Sequence, residues 1–213
     1  MKSLFVTATN TNIGKTFTTI ELIKHYSKQG ILVGVCKPIE TGVICEPLDA
    51  KMLLESVQNY NSNFKSLQPR DITAYTFKLP SAPFCADIDG IIEIDKIKDK
   101  IEELQNLCDI LIIEGAGGLF VPITATYNMI DLAKEINAKT LLVTPSKLGC
   151  INDTLLSIEA LKDRKIDFDW TVNLFEDRDS FPKVTKPYYD KAFPNWWSVQ
   201  NGLEEFVTKH IKS

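Results

Sequence analysis

The segment that most constrains this chain lies at its start. A strand-like run, Leu4-Phe5-Val6-Thr7-Ala8, leads directly into Asn10-Thr11-Asn12-Ile13-Gly14-Lys15-Thr16, and a helix-like run follows. A loop in that setting turns backbone N–H groups and the positive end of the next helix toward one point, which suits a phosphate chain. Lys15 adds a charge that can reach the terminal phosphates, and the Thr16 hydroxyl can hold Mg2+. The usual pattern places Gly five residues before Gly14, whereas this chain has Thr9 there, preceded by Ala8. Gly-Lys-Thr alone also begins ordinary helices. The apolar strand before the loop and the amphipathic helix after it are what point to nucleotide binding.

At 213 residues the chain can bury a full core and is read as one domain, residues 1–213. Acids and bases are mixed along it and the net charge is −4, which argues against a basic nucleic-acid-binding surface. No apolar run approaches the ~20 residues of a membrane span. A strand begins almost at once, so no signal peptide is expected. Cys36, Cys45, Cys85, Cys108 and Cys150 are scattered, with no Cys-x-x-Cys pair. An odd, dispersed set predicts reduced thiols in the cytoplasm. The two histidines, His25 and His210, are expected at the surface, and a His-based metal site is not expected.

Strands and helices alternate. Strands are predicted at 3–8, 31–36, 73–77, 109–113, 140–144 and 168–174. Helices are predicted at 15–28, 48–58, 94–107, 129–136, 150–163 and near 202–211. The run Asp109-Ile110-Leu111-Ile112-Ile113 is almost continuously apolar, as in a strand covered on both faces. The pattern predicts an α/β three-layer sandwich with a mostly parallel sheet, the P-loop nucleoside triphosphate hydrolase fold.

In open parallel sheets, ligands bind at the C-terminal edge of the strands. Lys37-Pro38 and Glu40-Thr41-Gly42 follow the second strand. Glu114 and the glycine-rich Gly115-Ala116-Gly117-Gly118 follow the run at 109–113, and Asn173 ends the last strand. Glu114 is read as a Mg2+ ligand, an ion that takes only one or two carboxylates beside water and phosphate oxygens. Asp49 is either the second carboxylate or a helix N-cap. The glycine cluster is either a tight turn or a place where backbone N–H groups approach a ligand. Lys37 is either solvated or a charge that stabilises a transferring phosphoryl group. Thr11 and Asn12 either bind phosphate or shape the loop. Gly149-Cys150-Ile151-Asn152 opens a helix, whose N-terminus suits a carboxylate or simply begins the helix.

These motifs together resemble the dethiobiotin synthetase family, ATP-dependent enzymes that close the ureido ring of the biotin precursor. The resemblance runs through most of residues 1–175. Its markers are Thr11 to Thr16, Lys37-Pro38 with Thr41-Gly42, Glu114 to Gly118, and Lys147-Leu148-Gly149-Cys150-Ile151-Asn152. The resemblance implies a homodimer with active sites at the subunit interface, acting on 7,8-diaminononanoate, CO2 and MgATP. It implies that Thr16, Asp49 and Glu114 serve the metal, and that Lys37, Lys15 and Thr11 act catalytically on phosphates and transferred charge. It places the nucleotide on Asn12, Ile13, Gly14, Lys15, Thr16, Phe17, Gly115, Ala116, Gly117 and Asn173. It places the substrate on Lys37, Thr41, Gly118, Gly149, Cys150 and Asn152, the last three from the partner subunit, with Tyr188 or Tyr189 nearby. The chain departs from the family at Ala8, where the family has Gly. Its tail after Asn173 has no match to the family's base-binding segment.

The rival reading is a partition or positioning ATPase acting as a switch. Those proteins carry a lysine five residues before the main loop lysine, and this chain has Asn10 there.

Overall fold

The computed structural model describes residues 2–212. β1 (Lys2–Ala8) feeds the loop, and α1 (Lys15–Lys28) follows it. The chain returns through β2 (Val33–Cys36) and then, past Pro38, makes a short β3 (Ile39–Thr41). α2 (Leu48–Gln58) comes next, then two 3-10 turns (Ser62–Phe64 and Pro69–Ile72), β4 (Tyr75–Phe77) and a one-turn α3 (Pro83–Ala86). The amphipathic α4 (Ile94–Gln105) leads to β5 (Ile110–Gly118) and α5 (Met129–Glu135). β6 (Lys139–Pro145), α6 (Cys150–Asp163) and β7 (Phe168–Asn173) complete the alternation. The chain ends in short α7 (Phe181–Val184) and α8 (Lys186–Ala192) and a longer α9 (Val199–Lys212).

The main sheet has the order β2-β5-β1-β6-β7 and every pairing is parallel. Helices cover both of its faces. In β6, Leu141 and Val143 enter the large core cluster, while Leu142 between them joins Ile130 of α5 with Ile158 and Leu161 of α6. This is the predicted α/β sandwich. Ile110, Leu111, Ile112 and Ile113 are all buried, each worth roughly 1.5–3 kcal/mol against exposure. Because both faces of β5 are apolar there, hydrophobic alternation does not fix its register. Glu114 does: a slip by one residue would carry its carboxylate away from the polar groups described below.

Three sequence expectations need correction. The segment 115–118 is neither a tight turn nor a loop. β5 continues through Gly118, pairing with β1 across an irregularity between Val6 and Ala8. The glycines are required by close packing: a Cβ on Gly115 would lie 3.0 Å from Phe5 Cζ, and one on Gly118 3.0 Å from the Thr9 carbonyl oxygen. His210 is not at the surface. It is 5% exposed where α9 packs on α1, in hydrogen-bond contact with the Tyr26 hydroxyl and stacked on Phe206. A titratable side chain buried this way keeps its partner, and the apolar stripe Leu203, Phe206, Val207 that buries it is visible in the sequence. Asp49 is not an N-cap. α2 begins one residue earlier, behind Pro47, and Glu40 supplies the acceptors for its first N–H groups.

β3 and β4 form a second, two-stranded parallel sheet that the sequence reading did not separate. It is tied to the main body where Lys37 N–H donates to the Ile72 carbonyl and Ala74 N–H to that of Pro38.

Candidate active site

The C-terminal ends of β1, β2 and β5 open on one cavity of about 620 Å3. Thr11, Asn12, Gly14, Lys15 and Thr16 line its phosphate-loop side. Asn12 and Gly14 both take positive φ, +60° and +95°. Gly14 thereby starts α1 with no side-chain cap, leaving the helix's first N–H groups free for a ligand. Lys15 is nearly buried, and its Nζ lies 3.1 Å from the Asn10 carbonyl oxygen. Burial, with the Lys37 charge nearby, lowers its pKa to about 8 from 10.5, despite Glu114 and Asp49.

Behind the loop, Glu114 is fully buried and saturated with donors. The Thr16 hydroxyl donates to its Oε1 at 3.0 Å, and the Thr19 hydroxyl to its Oε2 at 2.9 Å. Lys37 Nζ donates to Oε1 at 2.7 Å. The same ammonium lies 3.0 Å from Asp49 Oδ2, so it joins a buried carboxylate to a half-exposed one. Burial alone would lower the Lys37 pKa, but Glu114 and Asp49 override it and hold the group above its ordinary value, a permanent cation. Glu40 sets this geometry from behind, its two oxygens accepting from Asp49 N–H at 3.0 Å and Ala50 N–H at 2.9 Å. Burial raises its pKa.

Thr41, Ala116 and Gly117 complete the predicted lining, and Gly117 takes φ +63°. Gly115 sits just behind, its carbonyl oxygen 3.4 Å from Lys37 Nζ. The structure thus brings the loop, Lys37, Asp49, Thr41 and Glu114 together. Other predicted residues stand apart. Ile13 is buried with its carbonyl turned to Asn173, which sits under the loop rather than in the cavity wall. Phe17 is half-exposed on α1, and Gly118 faces Ala8 and Thr9. Gly149, Cys150 and Asn152 lie outside the cavity. Gly149 starts α6 at φ +93°, and Asn152 is exposed. The Cys150 side chain is fully buried against Thr185 and Tyr189. Of the two tyrosines, Tyr189 is buried on Thr154 and Cys150, and Tyr188 is 40% exposed.

Sequence reasoning missed Glu40, Thr19 and the Pro80-Ser81-Ala82-Pro83 wall of the cavity. Glu40 had a signal, a carboxylate three residues after Lys37 at a strand edge. The wall had none, because it follows no helical or strand period.

Three oxygen donors converge here, from Thr16, Asp49 and Glu114, and Lys37 already places a cation between the two carboxylates. Among the described residues no group of three or more His, Cys, Asp or Glu side chains could hold a metal alone. Any hard cation held by Thr16, Asp49 and Glu114 would need further oxygens, from water or a ligand, to complete its shell.

Comparison with known proteins gives the family and the fold. A family profile described as an AAA domain matches residues 2–169. Among solved structures, a plasmid partition protein from Borrelia burgdorferi superposes with a TM-score of 0.58 at 12% identity, covering 98% of both chains. A MinC:MinD cell division complex from Aquifex aeolicus gives 0.54 at 13% identity, over 98% of this chain and 86% of that one. At such identity these establish the fold alone. The curated relatives are far nearer. The ATP-dependent dethiobiotin synthetase of Sulfurovum sp. is 58% identical over 97% of this chain and 99% of its own. Those of Wolinella succinogenes and Methanocaldococcus jannaschii are 37% and 34% identical, covering 97% and 93% of this chain and 97% and 89% of theirs. With near-complete coverage in both directions, the chain belongs to the family of ATP-dependent dethiobiotin synthetases, built on an AAA domain.

Proposed function

We propose that the chain joins CO2 to 7,8-diaminononanoate and closes the ureido ring, with Mg2+ and ATP, giving dethiobiotin, ADP and phosphate. The observation that carries this is the Lys37 ammonium, buried between Glu114 and Asp49 at the floor of a cavity whose opposite wall is a phosphate loop. One amine of the substrate takes up CO2 as a carbamate and loses a proton. A carbamate oxygen attacks the γ-phosphorus, and the bond to the ADP oxygen breaks. The second amine then attacks the carbamate carbon, and phosphate leaves with the bonding pair. No covalent step on a protein side chain is needed, because each bond forms between the substrates themselves. The protein holds reactants in line, worth about 7–11 kcal/mol, and places Lys15 and Lys37 where negative charge gathers.

Thr16, Asp49 and Glu114 would hold Mg2+, which neutralises phosphate charge when bound. Thr11, Asn12, Gly14 and Lys15 bind the phosphates. Thr41 lies beside the diamine, and Asn173 supports the phosphate loop from below through the Ile13 carbonyl. In this reading the enzyme is a cytoplasmic homodimer in which Gly149, Cys150 and Asn152 of one copy hold the substrate carboxylate in the other. Their position outside their own subunit's cavity supports that arrangement. The Cys150 thiol is fully buried, so the carboxylate would meet N–H groups at the start of α6 and the exposed Asn152 amide instead. No described helix is long and apolar enough to cross a membrane.

Phosphate release with MgATP, bicarbonate and the diamine, omitting each in turn, tests the proposal. Release should require all of them. Release that continues without the diamine would instead make the chain a free-running ATPase.

A further inference from the structure

The C-terminal helix reaches the phosphate loop through an unbroken line of hydrogen bonds. Leu174 N–H donates to Gln200 Oε1 at 3.1 Å, Gln200 Nε2 to Asn173 Oδ1 at 3.0 Å, and Asn173 Nδ2 to the Ile13 carbonyl oxygen at 2.9 Å. A backbone donor begins this line and a backbone acceptor ends it. Neither can reverse roles, so the orientation of both intervening amides is dictated. Asn173 is 4% exposed and packs flush on the loop: a Cβ on Gly14 would lie 2.2 Å from its Nδ2. The segment that carries Gln200 is itself fixed. Val172 N–H and the Thr171 hydroxyl both donate to the Trp197 carbonyl, and Gly202 lets Trp197 lie directly on α9.

We infer that Gln200 is a positioning residue for triphosphate binding, acting through Asn173 on the Ile13–Gly14 peptide. The inference rests on the nucleotide reading above. The peptide is planar and trans, so holding the Ile13 oxygen toward Asn173 holds the Gly14 N–H on the opposite edge. Gly14 lines the cavity, and its N–H is one of the donors a phosphate chain would meet. Gln200 thereby acts on the phosphates, not on the base, although it belongs to the tail that the family motifs do not cover.

The test compares Gln200→Leu and Gln200→Glu with the unsubstituted chain for binding of ATP and of inorganic tripolyphosphate, both with Mg2+. Tripolyphosphate carries no base. Losing one link should weaken both ligands alike, by about three- to tenfold. Tm should fall by a few degrees for the hydrogen bonds lost, and the KM for the diamine should stay unchanged. In an Asn173→Ala background, Gln200→Leu should have no further effect. Tripolyphosphate binding that survives Gln200→Leu, with or without a loss for ATP, would overturn the relay. So would a Gln200→Leu effect that persists without Asn173. Failure of the unsubstituted chain to bind either ligand would overturn the nucleotide reading itself, and the relay with it.

Discussion

Lys37→Gln separates the two tasks of the buried ammonium. Glu114 keeps its Thr16 and Thr19 donors in this variant but loses its countercharge, with its side chain fully buried. Asp49 loses the same partner, yet its side chain is 44% exposed and water replaces the contact. The cost therefore falls almost wholly on Glu114. Breaking a buried pair by removing one partner costs about 3–5 kcal/mol, and two surviving hydroxyl donors put this case near 3. At about 2–4 °C per kcal/mol for a domain of this size, Tm should fall by roughly 6–12 °C with the fold retained. Turnover should fall by about 10²–10³-fold or more. Adding Glu114→Gln removes the stranded charge and should restore most of the lost Tm while leaving turnover abolished. Differential scanning calorimetry of the two variants and of Asp49→Asn, which should lose under about 1 kcal/mol, reads this directly. A Tm for Lys37→Gln equal to that of the unsubstituted chain, or a double variant less stable than the single one, would refute the reasoning.

Other expectations follow from the same geometry. Lys15 has a folded pKa of about 8 against 10.5 in the unfolded chain. The unfolded chain holds that proton more tightly, so the ligand-free protein gains stability from this group as pH rises from about 8 toward 10.5. Triphosphate binding favours the ammonium and should weaken over the same window, with proton uptake near pH 8 in calorimetry; no uptake would contradict the burial argument. Gly14→Ala meets both a left-handed backbone and the Asn173 amide and should cost about 3 kcal/mol. Gly149→Ala has the same backbone sign but open space, so chemical denaturation should show only about 1–2 kcal/mol. Cys150→Ala leaves a small void beside Tyr189, costing about 1 kcal/mol. It should retain substantial activity, and a large loss would show that the thiol itself matters.

The strand-loop-helix at the start was legible because each part has a local signature: an apolar run, a glycine at positive φ, a helical period. Lys37 and Glu114 were legible because strand ends in a parallel sheet converge, which is a rule of topology. Glu40 stood at a strand edge, which marked it, but its role depends on α2 swinging back onto β3, so its partners were not legible. Gln200 escaped for the same reason, since Asn173 links it to Ile13 only after the sheet has formed. The expectation of a surface His210 failed because polarity was weighed without the apolar stripe around it. The glycine cluster was left between a tight turn and close backbone approach because glycine marks both, and only the neighbouring Phe5 and Thr9 distinguish the two.

The separate two-stranded sheet divides the cavity walls by rigidity. β1 and β5 sit centrally, and their amide hydrogens should exchange last with solvent. The wall bearing Thr41 hangs on two three-residue strands, of which β4 is only partly buried. Phosphate chemistry thus has an anvil, while the wall that meets the diamine is a separate sheet coupled to Glu114 through Glu40, Asp49 and Lys37.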